Sequence, residues 1–291
     1  EDIHFTLEHD NVSDFAVALI KRIEHHPNIN VSLDADVITV AGHIGKFNVT
    51  VSGPDGKNTV TGGTIIVATG ANQAQTSEYA YGKSDRVLTQ VDLEKRVYHN
   101  DFSAAGKTIV MIQCVGSRNE AHAYCSRLCC SVAIKNALAI KKQDPDATIY
   151  VLYRDIRTYG FREIYYKQAR EAGVVFIRYD KETPPVLSES HGLTVTLKSP
   201  DLPEALEIRT DNVILSTGIE AQAENKALSD MLKVPLNADG FYVEAHMKLR
   251  PVDFATEGIF LCGLAHSPKC MDENISQARA AAARAATVLS K

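Results

Sequence analysis

Apolar positions recur along this chain with two periods, and their order predicts an α/β protein. Over residues 12–26, Phe15, Leu19, Ile20 and Ile23 fall on one side of a 3.6-residue repeat, which Pro27 and Asn28 stop. Three short extended runs follow at 30–33, 36–40 and 47–51, closed by the turn Gly53-Pro54-Asp55-Gly56. Val60 then leads into TIIVATGA, a continuous apolar strand ending at Thr69-Gly70. A second array begins near Gly106, with a strand at 108–113, a polar loop and a helix at 126–142. A strand at 148–153, a helix at 162–172 and a strand at 174–178 complete a βαβαβ series, which implies a parallel sheet with helices on its faces. Residues 193–198 alternate like a hairpin arm. DNVILSTGI then ends in the same Thr-Gly pair as TIIVATGA, an internal echo that predicts two nucleotide-binding-type domains.

The last stretch, EGIFLCGLAHSPKCMDENISQ, reads as an apolar strand, a glycine turn and an alanine-rich helix from Asn274, with Asp272 or Asn274 as its N-cap. It closes the first domain, not the second. The expected division is therefore residues 1–98 and 244–291 as one discontinuous, incomplete three-layer domain, with 99–243 inserted as a Rossmann-like domain. The chain lacks an initiator methionine and begins in mid-pattern, so it is expected to be a fragment of something longer.

Composition narrows the function. In 291 residues with a formal charge of -5, basic residues are scattered, without a run or aromatic interleaving that would mark a nucleic-acid surface. No apolar stretch approaches the roughly 20 residues of a spanning helix. The start has no signal-peptide pattern, and a cytoplasmic setting is expected. Hydrolase and nucleotidase signatures (G-x-S-x-G, H-E-x-x-H, Walker A) are absent from the sequence.

The cysteines carry the sharpest signal. Four of the six, Cys114, Cys125, Cys129 and Cys130, occupy the strand–loop–helix turn at the head of the second array. A dinucleotide fold would place G-x-G-x-x-G there, so that backbone can approach a pyrophosphate at the helix N-terminus. Gly116 is the lone glycine of that turn, which argues against bound NAD(P)H. Buried chance thiols, a four-thiolate zinc site, a catalytic dithiol of Cys125 with Cys129, and an iron–sulfur cluster are all admitted by the residues. The spacing C-x10-C-x3-C-C is not the C-x2-C-x2-C run of ferredoxins.

Several blocks are more specific: QCVGSRNEAHAYCSRLCC, LYRDIRTYG, the TQVDLE run after the first ATG, and EAHMKLRPVDFATEGIFLCGLAHSPK. Together they resemble the family of heterodisulfide reductase A subunits, including related subunits of a quinone-interacting oxidoreductase of sulfate reducers. The resemblance covers essentially the whole chain. It implies a thioredoxin-reductase-like pair of domains, FAD and [4Fe–4S] clusters, and electron transfer among protein partners. In methanogens the family's flavin is held to bifurcate electrons. The implied partners are other subunits of such complexes and iron–sulfur carriers; a homodimer is left open.

By that resemblance, Cys114, Cys125, Cys129 and Cys130 are cluster ligands, assisted by N–H groups of the following helix and by Arg118 and Arg127. Thr69 and Gly70 match the turn that passes the flavin, and Gly263 the glycine before the ribityl–pyrophosphate helix. Where flavoproteins commonly place an aspartate next, this chain has Leu264, so His266 and Lys269 become the expected polar partners. Cys262 and Cys270 are read as non-ligands. The glycine-rich motif that would cradle the ADP half of FAD is not among these residues, and weak FAD retention is expected. Tyr159, Gly160, Arg162 and Glu163 form a further family-like block to which no chemistry attaches. The competing readings are a scaffold holding structural zinc and an NAD(P)H-dependent disulfide reductase.

Overall fold

A computed structural model of the chain describes residues 3–190 and 192–290. The chain forms two compact units, Glu1–Ile23 with Ala74–Gly218, and Glu24–Gln73 with Ile219–Lys291. Helix α1 (Val12–Glu24) forms where the periodicity places it, but none of its residues is buried and Phe15 is 56% exposed. The run at 30–33 forms no strand; Asp34 turns left-handed (φ 50°) directly after it. An antiparallel sheet β1–β2–β3 follows, built from Asp36–His43, Lys46–Gly53 and Gly56–Gly62. Its third strand is almost wholly exposed and carries no apolar alternation by which to read it from sequence.

Strand β4 (Ile65–Val67) leads through Thr69-Gly70 into β5 (Ala71–Gln73), where the chain leaves its second unit. The first unit then continues through β6 (Val87–Thr89), α2 (Gln90–Tyr98), β7 (Thr108–Val115) and α3 (Cys129–Gln143). It goes on through β8 (Thr148–Tyr153), α4 (Glu163–Glu171) and β9 (Val175–Arg178). An antiparallel β10–β11–β12 (Val186–Ser188, Thr194–Leu197, Leu206–Arg209) precedes the return strand β13 (Asn212–Thr217). The core sheet is parallel, in the order β6-β13-β7-β8-β9.

Alternation along β7 and β13 explains the three layers. Ile109, Met111 and Ile214 pack among Ala133, Ile134 and Ala137 of α3, whereas Val110, Ile112, Val213 and Leu215 pack with Val195, Leu197 and Ile208 of the antiparallel sheet. A strand covered on both faces must be apolar throughout, and β13 is buried at all six positions. Each such aliphatic side chain contributes roughly 1.5–3 kcal/mol of burial.

Strands β4 and β13, the two echoing segments, belong to different sheets. After its Thr-Gly pair each enters one arm of a two-stranded antiparallel ribbon, β5 with β14 (Ile219–Ala221). The division of the chain therefore falls at 23/24, 73/74 and 218/219, where the sequence led us to expect 98/99 and 243/244. The reason is that β6 and α2 complete the sheet beside β13. Helix α5 (Asn225–Leu232), conversely, shares the core of Val67, Ile259 and Leu261. That core contains β15 (Ile259–Leu261), which pairs in parallel with β4 and is followed by α6 (Met271–Leu289). Helix α6 starts three residues before the expected Asn274. Its N-cap is Cys270, whose N–H donates to Glu273 at 2.8 Å, and neither Asp272 nor Asn274.

The first unit also buries an ion pair. Lys135 of α3 donates to Glu94 of α2 at 2.7 Å and to the Phe5 carbonyl at 2.9 Å, while Glu94 accepts the His4 N–H at 2.8 Å. This ties residues 4–5 to two helices. Lys135→Met leaves a buried carboxylate without its counter-charge and is expected to cost about 3–5 kcal/mol. The double variant Glu94→Gln/Lys135→Met keeps the acceptor for His4 without the charge and should lose less than the single one in chemical denaturation. A larger loss in the double variant would show that the pair is not coupled as described.

Candidate redox centre and flavin turn

Strand β7 does not run straight into the cysteine loop. Ile112 pairs with Leu215 and Val115 with Thr217, so Gln113 and Cys114 together face Ser216 alone. That bulge puts Cys114 in the left-handed region (φ 61°) and lifts its side chain out of the ladder. Arg118 (φ 57°) and Arg127 (φ 63°) adopt the same conformation, at a cost on the order of 1–3 kcal/mol each. Only Gly116 (φ 63°) does so without strain.

Hydrogen bonds hold the strained loop. The His122 N–H meets Asn119 Oδ1 at 2.8 Å, His122 Nδ1 donates to the Gly116 carbonyl at 3.2 Å, and Arg154 donates to the Arg118 carbonyl at 3.0 Å. Helix α3 begins at Cys129, not at Ser126, and its N-cap Leu128 offers no side-chain acceptor to the first turn. The strand end, the loop and the helix start thus deliver all four thiols to one cavity, together with Arg118 and Arg157. Cys262 and Cys270 lie in the other unit and line no part of it.

The sulfurs are met by donors. Arg118 Nη1 approaches Cys114 Sγ at 3.9 Å and the Arg127 N–H approaches Cys125 Sγ at 3.3 Å. The Arg157 N–H lowers the Cys130 pKa by hydrogen bonding. Burial nevertheless dominates: it raises Cys114 against the nearby Arg118 charge, pushes Cys130 up to about 11, and drives Cys129 higher still. Cys129 and Cys130 accordingly stand as thiols, whose S–H groups donate to the carbonyls of Thr217 (3.4 Å) and Asp155 (3.6 Å).

The expected flavin residues gather in the second unit. Parallel pairing of β4 with β15, continued by the Cys262 N–H to the Val67 carbonyl at 3.0 Å, sets the two strands' carboxyl ends side by side. Thr69-Gly70 and Gly263-Leu264 follow those ends, where α/β folds bind ligands. Gly70 (φ 76°) has open space where a Cβ would point, and Gly263 (φ 78°) meets only Asn274 Oδ1, at 4.0 Å. Thr69 does not point free: its hydroxyl donates to Asn225 at 3.0 Å.

His266 and Lys269 stabilise the Gly263 turn itself. Lys269 is 7% exposed and donates to the carbonyls of Gly263 (2.7 Å) and Ser267 (2.9 Å). The Gly263 N–H donates to Gln277 Oε1 (2.9 Å), Gln277 Nε2 to His266 Nδ1 (2.7 Å), and His266 Nε2 to Glu244 (2.8 Å). That order of donors requires neutral His266 with its proton on Nε2. Glu244, Gln277 and Asn225 are site residues that sequence reasoning missed. Gln277 left one trace, as a polar residue beside the alanine run of α6.

No protein-family model matches the chain. Among solved structures it is similar to T. acidophilum thioredoxin reductase, with a TM-score of 0.61 and 14% identity over 97% of this chain and 82% of that one. It is also similar to the bacillithiol disulfide reductase of Bacillus cereus, with a TM-score of 0.56 and 19% identity over 99% and 81% of the two chains. These likenesses establish a thioredoxin-reductase-like flavoprotein fold. Curated relatives are nearer in sequence. The iron-sulfur A subunit of the CoB–CoM heterodisulfide reductase of Methanocaldococcus jannaschii is 39% identical over 237 residues, 76% of this chain and 36% of its own length. The A subunit of the H2/formate:CoB-CoM heterodisulfide, ferredoxin reductase of Methanococcus maripaludis is 38% identical over 246 residues, 79% of this chain and 37% of its own length. The chain belongs with the A subunits of heterodisulfide reductases. It spans a little over a third of the length of these relatives.

For such an A-subunit segment, two fits can be tested on its own atoms. Among the described residues no three His, Cys, Asp or Glu side chains are grouped to hold a single metal ion. One cavity lined by four thiols, three of them met by N–H donors, fits a centre held by thiolates. Beside the Gly263 turn, Asn274 Oδ1 is buried and without a partner, and open space lies over Gly70. An unsatisfied acceptor and a bare backbone suit a hydroxylated cofactor chain. No described helix is long and apolar enough to cross a membrane.

Burial, then the Lys269 charge, hold His266 below its ordinary pKa of 6.5. As pH falls, the unfolded chain takes up the proton first, so this contribution is full above about pH 7 and is lost between about 6.5 and the lower folded pKa. His266→Asn is expected to lose less melting temperature than wild type between about pH 7.5 and 5.5. His4 and His9, also lowered by burial, are common to both proteins and cancel. Equal losses would overturn the assignment of a neutral His266.

Proposed function

We propose that this chain is the flavin- and cluster-bearing core of an oxidoreductase subunit that relays electrons within a heterodisulfide-reductase-like complex. The observation that carries the reading is the convergence of Cys114, Cys125, Cys129 and Cys130 on one cavity, with N–H donors aimed at three of their sulfurs. When bound, a [4Fe–4S] cluster supplies a one-electron centre and FAD a two-electron centre. The four cysteines would hold the cluster as thiolates, surrendering protons that burial otherwise keeps on sulfur. N–H groups of Arg127 and Arg157, the Arg118 guanidinium and the uncapped first turn of α3 would then face added negative charge. Such donors favour the reduced state and raise its potential.

In the second unit, Thr69, Gly70, Gly263 and Leu264 would line the flavin's path. His266 and Lys269 act one step back, fixing the turn through Gln277 and the Gly263 carbonyl. The cofactor-contacting roles expected for those two side chains thus become positioning roles. A cytoplasmic complex with cluster-bearing partner subunits is the setting this function needs, because electrons tunnel only over short distances.

Anaerobically purified protein should contain about four irons and four acid-labile sulfides per chain. Alanine at Cys114, Cys125, Cys129 or Cys130 should strip that iron, and Cys262→Ala should leave it. One zinc without iron, or loss of iron on Cys262→Ala alone, would sink the ligand set. Thiol side chains occupy the turn that a pyrophosphate would require, so calorimetric titration with NADH or NADPH should show no micromolar site in the first unit. Tight binding there would favour an ordinary disulfide reductase.

A further inference from the structure

The loop between β8 and α4 folds over the cysteine cavity, and its outer surface carries an aromatic side chain in full contact with water. The Asp155 carbonyl accepts from Cys130, and Asp155 and Arg157 line the cavity itself. The loop then rises to the one-turn helix Gly160–Arg162, where Gly160 (φ 66°) makes the bend. At its crest Phe161 is 99% exposed. Beside it Tyr159, 46% exposed, carries guanidinium groups against its ring, Arg127 at 5.5 Å and Arg162 at 5.9 Å. Arg118 and Arg157 complete the mouth and share the Asp155 carboxylate, at 2.6 and 3.6 Å. Of the other acids here, Glu163 accepts from Thr158 at 3.2 Å, and Glu8, which accepts from Tyr165 at 2.6 Å, feels the Arg162 charge.

Four guanidinium groups against three carboxylates, Asp155, Glu163 and the Glu8 that Arg162 faces, still give this mouth a positive sign in a chain of net charge -5. An aromatic residue wholly in water forgoes roughly 2–3 kcal/mol of available burial. A bare Phe161 two positions from a tyrosine that carries two arginines is the composition of an interface centre, not of an ordinary solvated turn. We infer that Phe161 and the arginines around it form a docking surface for the acidic face of an electron-carrying protein, seated over the four-cysteine cavity. Charge selects the partner: an acidic face is drawn to this patch and repelled by the rest of the molecule. The loop that meets the partner is the loop that touches Cys130, so docking would bring a second redox centre to the rim of the first. This inference rests on the cluster reading only for its purpose; the surface itself is tested separately.

The probe is a small acidic plant-type ferredoxin, titrated onto the protein at low and at physiological ionic strength, with iron measured on the same samples. Wild type should bind at low salt and weaken about tenfold or more as salt is raised. Phe161→Ser and Arg162→Glu should each raise the Kd about tenfold with iron content unchanged. Arg162→Glu should also flatten the salt dependence. Arg279→Glu, an equal charge change on the exposed face of α6, should bind like wild type. Absence of binding by wild type, or equal weakening by Arg279→Glu, overturns the docking surface even where four irons are present. Wild-type binding without iron would instead leave the surface standing and remove the cluster.

Discussion

Four thiols reach one cavity only because the backbone between β7 and α3 departs from the geometry a nucleotide-binding turn would use. In the dinucleotide version, glycines flatten the loop so that a phosphate can meet bare N–H groups. Here a bulge opposite Ser216 turns Cys114 out of the ladder, and left-handed residues at Arg118 and Arg127 bring the loop back to α3. Strain of that kind persists only where the surroundings over-determine it. The surroundings are β13, buried on both faces, and a loop stitched by His122, Asn119 and Arg154.

The two units solve the same problem in different ways. Both place their candidate chemistry at the carboxyl ends of parallel strands. In the first unit side chains converge on the cavity and the backbone accommodates them. In the second the backbone itself lies open at Gly70 and Gly263, and side chains brace it from behind. Lys269 and His266 illustrate the difference. A polar residue beside an open turn need not face the open space, because the turn's own carbonyls and N–H groups also demand partners.

Much of the fold could be read from the sequence because its central strands are buried on both sides. TIIVATGA and DNVILSTGI declare themselves by continuous apolar character, and the repeated Thr-Gly marks where the chain enters the β5–β14 ribbon. Strand β3 could not be read that way, being exposed, and α1 misleads in the opposite sense, having periodicity without a covered face. Helix α2 starts on a capping box, in which the Thr89 and Asp92 side chains each accept the other residue's backbone N–H. The unit boundaries were misplaced because sequence adjacency does not reveal that β6 completes a sheet with β13, over a hundred residues later. The cysteine cavity was legible from residue type and clustering. The chain Glu244–His266–Gln277–Gly263 was not, because its members are scattered over more than thirty positions and joined only by hydrogen bonds.

The same distinction explains why Tyr159, Gly160, Arg162 and Glu163 carried no chemistry as a string of letters. Their meaning lies in where β8 ends. A strand ordered next to β7 must deliver its following loop beside the loop that follows β7, because parallel neighbours end at the same edge of the sheet. Arg157 and Asp155 therefore meet the thiols from above, while the bend at Gly160 turns Phe161 outward. A loop constrained on its inner side by sulfur and on its outer side by water has few residues free to vary between those demands. The exposed Phe161 is not one that folding requires, since it touches neither core; its position over the cavity is what gives the surface its chemistry.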